Sequence, residues 1–193
     1  MNLTEKTVSA ETRFSGRLLR LRVDQVTLPD GAAAVREVVE HPGGVCAVAL
    51  TDEGEVLLVH QYRYPFAEVT AEIPAGKLEP GEDPDRAVRR ELAEETGYLA
   101  MNCRYLGKLY PTPGFCNEVD RIYLATGLIR LKDHPEALPE GEPMPHPDED
   151  EFLRVERLPL GEAVERVMRG DLPDAKTQVA LLMAQRLWER NEL

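Results

Sequence analysis

Cysteine is scarce. The 193 residues hold three, Cys46, Cys103 and Cys116, and no two stand in a C-x-x-C spacing. That count and spacing exclude a disulfide framework and a zinc-thiolate site, and the expectation is free thiols in a reducing compartment. Basic residues are also few, 23 Lys and Arg against 35 Asp and Glu, for a formal net charge of -12. Without a basic footprint, neither nucleic acid nor an anionic membrane surface is an expected partner. No apolar run approaches the ~20 residues of a membrane span. The opening stretch MNLTEKTVSAETRF lacks a basic region followed by an apolar one, so the expected location is the cytoplasm. There is no internal repeat, and His41, His60, His134 and His146 show no ligand spacing. What is present is an ordinary globular composition, 42% hydrophobic and 30% charged, long enough for one well-buried core. An acidic chain of this kind can still bind a phosphorylated small molecule where local Arg or metal ions reverse the field.

The first half reads as β-structure. Arg17–Leu28 and Ala33–His41 alternate around the turn Pro29–Gly31, a hairpin signal. Val45–Thr51 and Glu55–Tyr62 follow as continuous apolar runs, expected as strands covered on both faces. Val69–Pro74 is a short further strand, and AGKLEPGEDP then breaks the chain into a Gly/Pro loop leading to a helix. Asp83 suits the N-cap of that helix, Pro84 its first position and Gly97 the position just past its end. Strands are expected at Cys103–Tyr110, Val119–Leu128 and Phe152–Leu158, with helices at Leu160–Arg169 and about Pro173–Arg190. Between them, His134–Glu151 is Pro- and acid-rich and reads as a mobile loop. Strands first, with helices interspersed and terminal, indicate an α+β or layered α/β/α domain.

The stretch RRELAEETGY puts Glu91, Glu94 and Glu95 into five consecutive positions of a helix. Like charges three and four residues apart destabilise a helix by a few tenths of a kcal/mol per pair, so a compensating group is expected. At about 100° per residue, with Glu91 at 0°, Glu95 falls at about 40° and Glu94 at about -60°. Three carboxylates sharing one arc of a rigid element, with room for water and a phosphate, is how a hard cation such as Mg²⁺ is held. The alternative is a solvated acidic face paired with Arg86, Arg89 and Arg90.

The wider pattern bears on that choice. From Gly76 the chain reads Gly, five residues, Glu82, seven residues, then Arg90-Glu91-Leu92-Ala93-Glu94-Glu95-Thr96-Gly97-Tyr98. This resembles the Nudix box, G-x5-E-x7-R-E-U-x-E-E-x-G-U, with U a bulky aliphatic residue. All seven fixed residues match, for which chance is on the order of 10⁻⁵. Tyr98 departs at the last position, a packing residue. The resemblance implies an α/β Nudix-type α/β/α sandwich with a mixed sheet and an N-terminal β-hairpin extension, hydrolysing a diphosphate linked to another moiety with Mg²⁺ or Mn²⁺. It assigns metal binding to Glu91, Glu94 and Glu95, completes the site with the carbonyl of Ala75, and gives Glu82 and Arg90 the task of bracing the loop and orienting the acids.

Outside the box, VREVVEHPGGV, LLVHQYRYP and YPTPGFCNE, with Pro113 sixteen residues after Gly97, resemble the ADP-ribose pyrophosphatase branch. That likeness puts Arg63 on the diphosphate and Glu37, Gly114 and Glu118 near the ribose or adenosine. Each has a plainer alternative: a strand-end ion pair for Arg63, a cross-strand surface pair for Glu37, a turn for Pro113–Gly114. In this branch a loop glutamate closes over the substrate and orients or deprotonates the attacking water. Glu149 and Glu151 are the candidates, and two residues apart only one faces a given side of an extended segment. Glu149, farther from the strand start, is the preferred base; Glu151 suits a fixed structural contact, and Glu94 is the helix alternative. The resemblance also implies a homodimer, with residues 1–42 as the dimerisation strands and 43–193 as the hydrolase domain. Competing readings are a pyrophosphatase for another nucleoside diphosphate sugar such as a GDP-hexose, an enzyme for an oxidised nucleoside triphosphate, and a catalytically silent nucleotide sensor.

Overall fold

The Pro29-Asp30-Gly31 turn closes a hairpin: Gly31 takes φ 91°, a left-handed value that costs glycine little, and donates its N–H to Leu28 O at 2.9 Å. It joins β2 (Arg20–Thr27) to β3 (Ala33–Glu40), paired from Arg20↔Glu40 to Thr27↔Ala33. The computed structural model describes residues 2–138 and 141–192. It adds a strand that the sequence reading omitted, β1 (Lys6–Ser15), antiparallel to β2 with two register irregularities. Every residue of β1 is exposed, so it carries no inside-outside alternation by which a strand is recognised.

The chain forms two compact units, Met1–Gly43 with Tyr110–Val119, and Gly44–Leu109 with Asp120–Leu193. In the first, Tyr110–Val119 returns to the N-terminal strands: Val39 forms a parallel bridge with Cys116, donating to Phe115 O at 2.7 Å and accepting from Asn117 N at 3.1 Å. Asp24 is buried there and is satisfied by Arg22, which also reaches Glu40.

The second unit is organised by β4 (Gly44–Ala49), buried at every residue. It lies in a mixed sheet of order β7-β4-β9-β8, parallel to β9 (Asp120–Arg130) and antiparallel to β7 (Ala75–Lys77). The outer strand β8 (Tyr98–Leu109) begins directly after the helix, at Tyr98 rather than Cys103. A second sheet, antiparallel, has the order β10-β5-β6, from Arg154–Pro159, Glu55–Arg63 and Glu68–Glu72. A 3-10 turn, Pro135–Ala137, lies in the acid-rich connection.

Strand period two then divides the core. Val45, Ala47 and Ala49 pack with Ala87, Val88 and Leu92 of α1 (Pro84–Thr96). Cys46, Val48 and Leu50 pack with Ala163 of α2 (Leu160–Arg169) and with Ala180, Leu181 and Ala184 of α3 (Ala175–Glu189). A central strand with helices on both faces is the α/β/α layering expected from the sequence. Burying each of Val88 and Leu92 stabilises α1 on the sheet by roughly 1.5–3 kcal/mol. No helix among the described residues is long and apolar enough to cross a membrane.

Candidate active site

Helix α1 is held at both ends as its sequence dictates. Asp83 accepts from the N–H groups of Asp85 at 2.9 Å and Arg86 at 3.2 Å, and Gly97 closes the helix at φ 74° with its N–H on Ala93 O. At the N-terminus Tyr123 Oη donates to Asp85 at 2.7 Å, tying the helix to β9. The loop from β7 into α1 is braced by Glu82, whose carboxylate accepts the N–H of Glu79 at 3.0 Å and a fork from Arg90, Nε at 2.9 Å and Nη2 at 3.0 Å. Arg90 keeps Glu82 below its ordinary pKa, against the smaller opposing effect of burial.

Arg90 also answers part of the repulsion on this helix. Its Nη1 lies 2.8 Å from Glu94 Oε2 and 3.0 Å from Glu91 Oε1. Glu95 is buried, 8% exposed, and its Oε2 accepts the N–H of Ala75 at 2.9 Å. Ala75 therefore meets the acids through its amide in this arrangement, whereas the carbonyl is the group the sequence motif nominates. Next to it, Gly76 leaves space that no other residue could: a Cβ there would stand 1.9 Å from Glu91 Cδ. The glycine of the motif is thus a steric requirement of the Glu91 carboxylate.

Arg90 does not neutralise the whole cluster. Burial pushes Glu91 up to about 7 against the pull of Arg90, with Glu94 and Glu151 adding to the rise. Burial likewise pushes Glu95 up to about 8; the Ala75 amide opposes this, and Glu91 and Glu151 reinforce it. Among the described residues no three His, Cys, Asp or Glu side chains are already gathered around a point as metal ligands. Glu94 and Glu91 are drawn toward Arg90 and Glu95 toward a backbone amide. The donor set still suits a hard divalent cation: only carboxylate oxygens, with Glu95 buried and Glu91 half-buried and both electrostatically under-compensated, and a glycine cradle against Glu91.

The two loop glutamates separate here: Glu151, rather than Glu149, acts electrostatically on the acids of the helix. Glu151 is half-buried, its charge acts on both Glu91 and Glu95, and its own pKa is raised by burial and by Asp148. Glu149 is exposed. Distance from the strand gave Glu149 freedom; the bend at Asp148, whose carbonyl accepts the Glu151 N–H at 2.9 Å, turns Glu151 toward the acids instead.

Arg63, at the end of β5, forks onto Glu72 with Nε and Nη2 both at 2.7 Å, the ion pair foreseen as its plainer alternative, and it lies within electrostatic reach of Glu95. Glu37, Gly114 and Glu118 belong to the first unit. Glu37 is exposed opposite Val23, so it has no cross-strand charge partner there. Gly114 sits in the turn where Cys116 N–H donates to Thr112 O at 3.0 Å. Glu118 Oε1 is 3.3 Å from His41 Nδ1. Three residues near Arg63 escaped the sequence reading: Glu72, Asp174 and Lys176. Only Asp174, directly before the helix start at Ala175 and just after Pro173, carried an N-cap signal.

Comparison with known proteins agrees with this architecture. The sequence matches the NUDIX domain over residues 40–181 and the nucleoside diphosphate sugar hydrolase N-terminal domain over residues 5–39. The chain is 41% identical over 184 residues to an ADP-ribose pyrophosphatase of Bacillus subtilis (strain 168), covering 95% of this chain and 94% of that one. It is 41% identical to a methanol dehydrogenase activator of Bacillus methanolicus, covering 94% and 92% of the two chains. Its likeness to an ADP-ribose pyrophosphatase of Mycobacterium tuberculosis (strain ATCC 25618 / H37Rv) is 40%, over 86% of this chain and 76% of that one. A crystal structure of an ADP compounds hydrolase superposes over the whole of both chains with TM-score 0.78 at 24% identity, a likeness of fold. With its box complete on the loop and helix from Gly76 to Gly97, and the NUDIX match spanning most of its length, this chain belongs to the Nudix family of hydrolases.

Proposed function

We propose that the protein hydrolyses the diphosphate of ADP-ribose to AMP and ribose 5-phosphate, with Mg²⁺ or Mn²⁺ as cofactor. The observation that carries this is near-complete coverage at 41% identity by a relative named for that reaction, on a helix that keeps every acid of the box. A bound divalent cation would neutralise the diphosphate and lower the pKa of a bound water toward neutrality. Glu91, Glu94 and Glu95 are the residues to hold it, with the Ala75 carbonyl completing the set once the Arg90 contacts yield. Glu151 takes the proton of the attacking water, since a half-buried carboxylate with a raised pKa is a better base near neutrality than an exposed one. Arg63 meets the diphosphate with a planar fork matched to phosphate oxygens. Glu37, Gly114 and Glu118 contact the ribose or adenosine.

Two measurements test this. Exhaustive chelation with EDTA should abolish hydrolysis and added Mg²⁺ or Mn²⁺ should restore it; activity surviving chelation would end the carboxylate-metal reading. Product analysis over ADP-ribose, other ADP-sugars and GDP-hexoses should give AMP and ribose 5-phosphate fastest. A faster GDP-hexose reaction would move the assignment to another nucleoside diphosphate sugar, and no reaction with any would favour a sensor.

The proposal includes a homodimer built through the N-terminal strands. β1 exposes Val8 and Phe14, and the following turn exposes Leu18 and Leu19, apolar surface that a second subunit would cover. Sedimentation at micromolar concentration should give twice the 21.6 kDa of one chain; a fully active monomer would contradict it.

A further inference from the structure

The buried carboxylate of Glu72 is shared by two cations. Arg63 holds it with a fork, and Lys176, in the first turn of α3, reaches its Oε2 while also lying 2.9 Å from Asp174 Oδ1. Thr70 Oγ1 donates to Oε1 at 2.6 Å. The cations differ in how firmly they are placed. The Arg63 side chain is 38% exposed, that of Lys176 14% and that of Glu72 6%. Asp174, the second partner of Lys176, is fixed as the N-cap of α3 by the N–H of Thr177 at 2.9 Å and by its hydroxyl at 2.5 Å. Thr177 Oγ1 in turn accepts the N–H of Ile73, the residue after Glu72, at 2.9 Å. Lys176 is therefore anchored on two acids inside a closed set of contacts, while Arg63 holds one acid from a more exposed position.

A buried ion pair ordinarily stays shut because removing one partner leaves an uncompensated charge. A second cation on the same carboxylate lifts that restriction for the first. We propose that Lys176 is a positioning residue that keeps Glu72 neutralised while Arg63 leaves it for the substrate diphosphate. Arg63 suits the exchange, because a guanidinium fork fits phosphate oxygens as it fits a carboxylate, whereas Lys176 offers a point charge that needs no particular orientation to stay on Glu72. The inference rests on the proposed contact of Arg63 with the diphosphate and goes beyond it by naming what releases that side chain.

Lys176→Met removes the charge at similar length and leaves Arg63 as the sole cation on Glu72. KM for ADP-ribose should rise about tenfold with kcat nearly unchanged, and Lys176→Arg should bring KM back toward the parent value. Adding Glu72→Gln to Lys176→Met removes the anion that traps Arg63, so KM should fall again, a reversal that mere loss of packing does not produce. Arg63→Met separates the two levels. If it leaves KM unchanged, the diphosphate contact itself fails. If it raises KM while Lys176→Met does not, or if Glu72→Gln fails to reverse the Lys176→Met effect, the positioning role is overturned. Should Lys176→Met not fold, judged by circular dichroism, Glu72→Gln alone decides: KM at or below the parent supports the role, and a rise overturns it.

Discussion

Glu95→Gln should lower the turnover of ADP-ribose by on the order of 10³-fold or more, since several kcal/mol of transition-state stabilisation pass through the metal ligands and about 1.4 kcal/mol is a factor of ten. Gln keeps the shape and an oxygen that can still accept the Ala75 N–H, so the change removes charge with little else. Above about pH 8, where the parent's Glu95 is ionised, the metal-free variant should melt no lower than the parent, because a buried negative charge beside Glu91 disappears. Its pH dependence gives the sign. Burial raises the folded-state pKa of Glu95 to about 8 and of Glu91 to about 7. Below an ordinary carboxylate pKa both folded and unfolded chains hold these protons and the full stability is present. As pH rises toward 8 the unfolded chain has released them first, so stability is lost across that interval. The metal-free parent should therefore lose melting temperature between pH 5 and pH 8, and Glu95→Gln should flatten that slope. Near-normal turnover in a variant that melts well below the parent would instead describe a paired surface helix.

Glu151→Gln should reduce kcat by roughly 10²–10⁴-fold with little change in KM, the loss expected of a general base. Glu149→Gln should stay near the parent. The difference follows from placement: Glu151 acts electrostatically on Glu91 and Glu95, while Glu149 is exposed two residues earlier. A large effect at Glu149 alone would restore the ordering drawn from sequence, and small effects at both would return the role to the helix, with Glu94 the first residue to test.

Much of this was legible because the information is local. The helix ends at Asp83 and Gly97, the acids spaced by three and four, and the apolar run of β4 are all short-range patterns that fold as they read. The choice between Glu149 and Glu151 was not, because both lie in a segment without periodicity and a single turn at Asp148 decides which one faces the acids. Strand β1 was hidden by its exposure: Lys-Thr-Val-Ser-Ala-Glu-Thr-Arg-Phe-Ser carries no buried face. The contact of Lys176 with Glu72 was hidden by distance along the chain, since the two lie 104 residues apart and only the packed fold makes them neighbours.

The bridge between Val39 and Cys116 has a consequence for the order of events during synthesis. A nascent chain emerging from the ribosome folds N-terminal segments first, and β1 to β3 can pair as soon as they are out. Their unit nevertheless stays incomplete until Tyr110–Val119 arrives, because His41 N–H waits for Asn117, 76 residues later. The opening of the chain thus finishes folding only after α1 and β8 have been translated.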